Sequence, residues 1–514
     1  MKQINQNIKS IGIFLFLGLF AGCSNFDEIN TNPDAITQSS ATLQCTNVIL
    51  SNLQAGGRDA KAYLTSNALS KYIGYVNETQ MVEQYNQFSN GDFYNMTILP
   101  NIEKMVEYAT GTPMEDSYRG VAKFARAYMF YRLTMKMGDI PYSDAGQGLS
   151  NNFTPKYDAQ KDVLIGILDE LKEADAYFAK GVKFAGDPTP YNGDPAKWRR
   201  ASNAFALRVL MSLSNKESDA SLNIKGRFAD IVNGGFLLDA STGFLGLNYN
   251  SVQKHPLYST NNLFTSRTLI SSLLVDGLKL LKDRRLFYYA EPAKQQLNAG
   301  KPQTDFNAYV GPDVSRDYTT LTTEFLTGMY SALNLRYLYN QTSEPRMLVT
   351  YAEQELILAE ARILNWITTG TAENYYQEGV KSALKAQMNT NATNTAYLHG
   401  MPIDQAYIDN YFTGEAAFKA TTDEQLKQIW FQRYILNFMQ DPEVAYFEYR
   451  RTHYPEFPIN PSTNLNLNNP NAIPVRWLYP TSETDYNRAN LIEALMNQYG
   501  DQNDDVNRLM WALK

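Results

Sequence analysis

Between Leu348 and Trp366 the chain reads LVTYAEQELILAEARILNW, with small or apolar side chains at Ala352, Leu356, Ala359 and Ile363 and Leu364 beside them. That spacing is helical, and the unbroken apolar run Leu356 to Ala359 leaves Glu353, Gln354, Glu360 and Arg362 a narrow polar face. Such a helix is expected to have neighbours on both sides. The stretch ITTGT, Ile367 to Thr371, breaks the pattern with a glycine, and a second run follows with Tyr376, Val380, Leu384 and Met388 spaced by four. Two helices within about 38 residues, joined by a short turn, make an antiparallel pair of tetratricopeptide-like size.

A chain of 514 residues, 44% of them hydrophobic, can bury a large core. Length alone suggests roughly two to four domains. No linker of distinct composition divides 40–514, however, so these residues read as one domain. Tyrosine is over-used, with 35 Tyr and 25 Phe against five Trp, which supplies flat rings with polar edges of the kind that sugar rings and peptide side chains pack against. The net charge is −7 and no basic block occurs. Nucleic acid is therefore an unsuitable partner, because phosphate neutralisation needs clustered Lys and Arg.

At the amino terminus, Lys2 and Lys9 precede the apolar run Ile11 to Gly22, which ends at Cys23. A basic end, a short apolar stretch and small residues before a junction read as a secretory signal. The run is shorter than the about 20 residues that span a bilayer. Ala21 and Gly22 directly before a cysteine resemble a bacterial lipobox, with Phe20 where leucine is commoner, so residues 1–22 read as a lipoprotein signal and Cys23 as the lipidated residue. The polar stretch that follows suits a tether over 23–39. Cys45 is then left without a partner for a disulfide.

Further helices are expected over Ser117 to Met137, stopping at Gly138, over a run with Val163, Ile167, Leu171, Ala174 and Phe178 on its core face, and from Asp194-Pro195 onwards. Leu426 to Met439 and Tyr486 to Tyr499 complete the helical segments, while Arg451 to Pro480 reads as irregular coil. Gly, Asn, Ser and Tyr dominate from Gly226 to Tyr339, where only a helix near Leu269 to Leu281 can be placed. Loops of that length are usually functional. The architecture is mainly α.

Catalytic and metal-binding patterns are missing from the sequence. His255, His399 and His453 lie far apart, with no second ligand at zinc spacing, and neither a phosphate-cradling glycine loop nor a GxSxG elbow occurs. Asp501, Asn503 and Asp505 imitate the start of a calcium loop, but Val506 and Ala512 stand where its glycine and glutamate belong. Glu353, Glu355 and Glu360 are expected to form ion pairs in the core. The reading is of a protein without catalysis, metal or cofactor.

Taken in order, several motifs resemble the SusD/RagB family of outer-membrane nutrient-binding lipoproteins of Bacteroidetes. They are the lipobox at Cys23, DEINTNPDA at Asp27 to Ala35, MGDIPYSDAGQG at Met137 to Gly148 and DVLIGILDELKEA at Asp162 to Ala174. DPAKWRRASNAFALRVLMSLS at Asp194 to Ser214, YAEQELILAEA, IWFQRYILNFMQDPEVAYFEYRRTHYP at Ile429 to Pro455 and the closing IPVRWLYPTSE follow. The NTNP after the tether resembles the SusD-like branch. The resemblance implies a SusD-like fold of four tetratricopeptide-like helix pairs packed against a variable loop-rich layer. Here the repeats would fall mainly in 40–220 and 348–445 and the variable layer in 226–345. It also implies a lipid-anchored, surface-facing protein that sits over a SusC-like TonB-dependent outer-membrane transporter and passes it an oligosaccharide, or alternatively an oligopeptide.

All five tryptophans lie in or beside these motifs or in the tail, and read as core. A ligand platform is therefore expected from Tyr and Phe in the irregular segments. The first candidate group is Tyr85, Phe88, Asn90, Asp92, Phe93 and Tyr94, where rings would pack on sugar faces while amide and carboxylate bond hydroxyls. The second is Asn307, Tyr309, Arg316 and Tyr318. The third is Tyr330, Tyr337 and Tyr339, with 337 and 339 on one face of an extended segment.

Overall fold

A computed structural model describes residues 39–54, 60–76, 81–258, 266–391 and 394–514. Cys23 and the stretch 27–35 lie outside the described residues. Ala41–Lys514 forms one compact unit.

Ten principal helices carry it: α1 (Ala41–Leu53), α2 (Ala60–Leu69), α3 (Leu99–Ala109), α4 (Glu115–Met137), α5 (Gln160–Lys180) and α6 (Pro195–Ser212), then α7 (Tyr351–Ile363), α8 (Ala372–Asn391), α9 (Thr422–Asn437) and α10 (Pro442–Thr452). Their ends follow local chemistry. Helix α4 opens with Glu115 and Asp116 and closes with Lys136, each charge matched to its end of the helix dipole, and it stops at Gly138, where φ is 96°. Helix α6 begins with Pro195 after Asp194, whose carboxylate accepts from the backbone N–H groups of Ala196 and Lys197.

Consecutive helices pack along one another, α4 on α5, α5 on α6 and α7 on α8. Helix α7 also meets α6 and α9, and α10 meets α2, α6 and α9. The stretch built from LVTYAEQELILAEARILNW thus lies in the middle, and every residue of α7 from Ala352 to Ala361 is buried. Its acids need partners there. Arg208 donates through Nε to Glu353 Oε1 at 2.8 Å, and Arg451 Nη1 reaches Glu360 Oε1 at 2.7 Å.

Glu355 departs from the ion-pair expectation. Among the described residues it accepts only from Gln354 Nε2, at 3.1 Å, and burial pushes its carboxyl up to about 7. A raised carboxyl binds its proton more tightly in the folded chain than in the unfolded one, so its contribution to stability falls as pH rises from 4.5 through about 7. Glu355→Gln is therefore expected to unfold at higher urea than the wild type above pH 7, with the advantage gone near pH 4.5. Equal midpoints for the two proteins at both pH values would contradict this.

Two short antiparallel ribbons complete the fold: β1 (Ile73–Tyr75) with β3 (Thr268–Ile270), and β2 (Phe244–Leu247) with β4 (Arg346–Thr350). Leu247 pairs with Arg346, and Gly246 lies so close to the Arg346 carbonyl that a Cβ there would come within 1.9 Å of it.

The segment 226–345 is more helical than its composition suggests. Besides Ser272–Leu280 it contains helices at Leu286–Tyr289, Lys294–Asn298, Tyr318–Leu326 and Arg336–Tyr339, and Ile224–Gly234 runs into its start. Tyr318–Leu326 (YTTLTTEFL) is rich in β-branched threonine, which hides a helical pattern. Asp317 caps it, and Thr322 and Thr323 bond back to the carbonyls of Tyr318 and Thr319 at 2.8 and 2.9 Å. Of the tryptophans, Trp198 and Trp366 are buried, while Trp430, Trp477 and Trp511 are half-buried against the core.

Candidate functional site

The rings expected to form a platform are mostly inside. Tyr85, Phe88, Tyr309, Tyr330 and Tyr337 are all buried, which corrects the expectation that they present open faces. Each buried tyrosine has a polar partner that makes burial affordable. Tyr85 Oη donates to the Arg316 carbonyl at 3.0 Å, Tyr309 Oη to the Gln303 carbonyl at 3.0 Å, and Tyr337 Oη to Glu344 Oε1 at 2.8 Å. Phe88 packs on Trp477 with ring centroids 4.7 Å apart. Tyr337 and Tyr339 sit on the helical turn Arg336–Tyr339 rather than on an extended segment, so they point apart, one buried and the other exposed.

Members of the three groups nevertheless meet. Arg316, beside the hydroxyl of Tyr85, donates through Nη1 to Tyr330 Oη at 2.7 Å and through Nη2 to Glu324 Oε1 at 2.9 Å. Tyr318 is half-buried in the next turn and Asn307 is exposed. This cluster knits the 81–90 and 313–330 segments together, and its charges satisfy one another. A large cavity lies elsewhere in the fold.

That cavity is a polar cleft of about 1300 Å³, bounded by α1 and α2, the 92–101 segment, the 247–256 loop and the 440–443 turn. Of the expected residues, Asp92 and Tyr94 line it. Asp92 Oδ1 accepts from the Tyr94 backbone N–H at 3.0 Å, which fixes the turn that leads into α3 and leaves Tyr94 76% exposed at the rim. Phe93 turns the other way, half-buried towards Tyr157, and Asn90 bonds the Tyr479 carbonyl at 2.5 Å.

Most of the cleft comes from residues that sequence reasoning did not select. Asn47, Asn95, Asn101, Asn248 and Gln253 line it, and their side-chain amides bond no other described residue. A wall of rings stands behind them: Tyr63 and Tyr249 both meet the neutral ring of His255 edge-on, at 5.5 and 5.0 Å. Burial, and then the charges of Arg336 and Arg346, push His255 down to about 3. Arg132 bonds Asp441 Oδ1 at 2.9 Å and Glu443 Oε2 at 2.5 Å, and Lys136 holds Glu443 Oε1 at 2.8 Å. Burial opposes the Glu443 charge, but Lys136, Arg132 and the more distant Arg346 outweigh it and hold the carboxyl down at about 2. A local hint in the sequence was Asn47, Ser51, Asn52 and Gln54, polar residues along α1 and just past its end. The arrangement offers free amide donors and acceptors beside exposed and half-buried rings, the mixture that binds polyhydroxylated ligands. Among the described residues no group of three His, Cys, Asp or Glu side chains could hold a metal ion.

The comparisons with known proteins agree with this architecture. A SusD-like family model described as starch-binding and associating with the outer membrane matches residues 33–480. The chain is 37% identical to a SusD homolog of Bacteroides fragilis, covering 93% of this chain and 100% of that one with a TM-score of 0.87. It is 30% identical to a second SusD homolog of the same species, with the same coverage and a TM-score of 0.80. A chitin-binding SusD homolog from Flavobacterium johnsoniae is 19% identical, covers 92% of this chain and 98% of its own, and shares the fold at a TM-score of 0.65. No curated protein matches the chain. With the family model spanning nearly the whole sequence and the fold shared end to end, this chain belongs to the SusD-like family.

Proposed function

We propose that this protein captures an oligosaccharide in the polar cleft and delivers it to a partner TonB-dependent outer-membrane transporter, without catalysing a reaction. Residues 1–22 act as a signal peptide and Cys23 carries the lipid that anchors the chain, through the 23–39 tether, at the cell surface. The observation that carries the reading is the set of uncommitted amides, Asn47, Asn95, Asn101, Asn248 and Gln253, around a cleft of about 1300 Å³ with Tyr94 open at its rim. Sugars present hydroxyls in many directions and apolar ring faces, and this lining answers both. The starch-binding family and one chitin-binding structural relative support a glycan as the ligand class.

Calorimetric titration against a panel of oligosaccharides and peptides tests the reading. A saccharide is expected to bind, and Tyr94→Ala is expected to weaken it about tenfold, about 1.4 kcal/mol. Binding of peptides alone would replace the substrate class.

A further inference from the structure

One guanidinium in the cleft has no bonded counterpart among the described residues. Arg346, at the start of β4, lines the cavity and is only 9% exposed, yet no carboxylate or hydrogen-bond acceptor among the described residues is bonded to its guanidinium. Its Nε is fully buried and unsatisfied. We propose that Arg346 is the floor of an anion subsite and that the cleft selects an acidic oligosaccharide, with the carboxylate of a uronate unit seated against this guanidinium. The inference rests on the cleft being the glycan site.

The neighbouring carboxylates are already committed. Asp441 and Glu443 are bonded to Arg132, and Glu443 also to Lys136. Glu344 accepts from Arg336 Nη2 at 2.7 Å, from Tyr337 Oη at 2.8 Å and from Gln440 Nε2 at 3.0 Å. None is within ion-pair distance of Arg346, although its charge adds to the lowering of the Glu443 carboxyl from farther off. The Tyr63 hydroxyl is turned to the Met439 carbonyl, and His255 is neutral. Lys254 adds an exposed positive charge at the mouth, while Asp92 on the rim is the opposing one.

An unpaired buried charge is strongly unfavourable, and a chain tolerates one where function uses it. The planar guanidinium fork matches a carboxylate bidentately, and the surrounding burial strengthens that contact. The backbone beneath is held in place. Leu247 pairs with Arg346 across the ribbon, Gly246 admits the Arg346 carbonyl, and the Met347 N–H donates to Gln440 Oε1 at 2.7 Å. Placement of the Arg346 backbone is thus a property of the folded ribbon.

The test uses the full chain in detergent and pairs of oligosaccharides differing only in esterification, tetragalacturonate and tetramannuronate each against its methyl ester, beside neutral glycans and peptides. At least one acid is expected to bind tenfold or more tightly than its ester. Arg346→Gln should erase that preference, Arg346→Lys should retain part of it, and Tyr94→Ala should weaken acid and ester alike. Circular dichroism confirms that each variant is folded, and the lysine variant keeps the test decisive if the glutamine variant is not. Equal affinity for acid and ester, or tight binding of a neutral glycan that Arg346→Gln leaves unchanged, overturns the anion subsite and spares the glycan reading. Binding of no glycan at all, or of peptides only, overturns both.

Discussion

Glu360→Ala is expected to lower the stability of the protein by about 3–5 kcal/mol, the range found when one member of a buried ion cluster is removed. Glu360 is 1% exposed at the centre of α7 and bonds two arginines from separate helices, Arg433 of α9 at 3.3 Å and Arg451 of α10 at 2.7 Å. Glu448 bonds the same pair, each at 2.7 Å, so the four charges alternate in a closed ring. Without Glu360, two arginines with side chains 1% and 6% exposed would be left with Glu448 and, for Arg433 alone, Glu353 at 3.8 Å. Several of their nitrogens already lack partners, including Arg433 Nε and Arg451 Nε. Urea unfolding at neutral pH measures the change. A loss below about 1 kcal/mol, the level of an exposed pair, would show that water reaches the ring.

Arg336→Ala should cost about as much, and should also reach the ligand. Arg336 is fully buried, with Nε donating to the Tyr288 carbonyl at 2.9 Å and Nη2 to Glu344 at 2.7 Å. Its removal leaves the Glu344 carboxylate, 4% exposed, with only Tyr337 and Gln440 among the described residues. Gln440 bonds both Glu344 and the backbone next to Arg346, and it lines the cleft. Loss of Arg336 therefore loosens the cleft wall as well as the core, whereas Glu360 touches no residue that lines it. Affinity measured well below the unfolding temperature is expected to fall in Arg336→Ala and to hold in Glu360→Ala. The same affinity in both variants would separate the core network from the site.

The central helix was legible because its apolar period and its acids leave few alternatives: a helix that greasy is covered on all sides. Asp194-Pro195 and Gly138 marked helix ends for equally local reasons. Tyr318–Leu326 escaped because threonine weakens the helical signal and its stabilising bonds are side-chain returns to the backbone. Of the lining of the proposed cleft, only Asp92 and Tyr94 were legible. Ring density pointed to Tyr85, Tyr309 and Tyr337, but a tyrosine whose hydroxyl finds a carbonyl or carboxylate is as content inside as out, and those partners are up to 231 residues away in sequence. The cleft itself draws on at least five separate segments, and the isolation of Arg346 is a property of where Arg336, Arg132 and Lys136 place their charges, which no local pattern records.

The proposed capture of ligand depends on the polar cleft. A crystal structure of the protein with the tightest-binding oligosaccharide tests that directly. Sugar density is expected between Tyr94 and the amides of Asn47, Asn101 and Asn248, with an acidic group on Arg346. Density over the Arg316–Tyr318 surface instead, with the cleft holding only water, would contradict it.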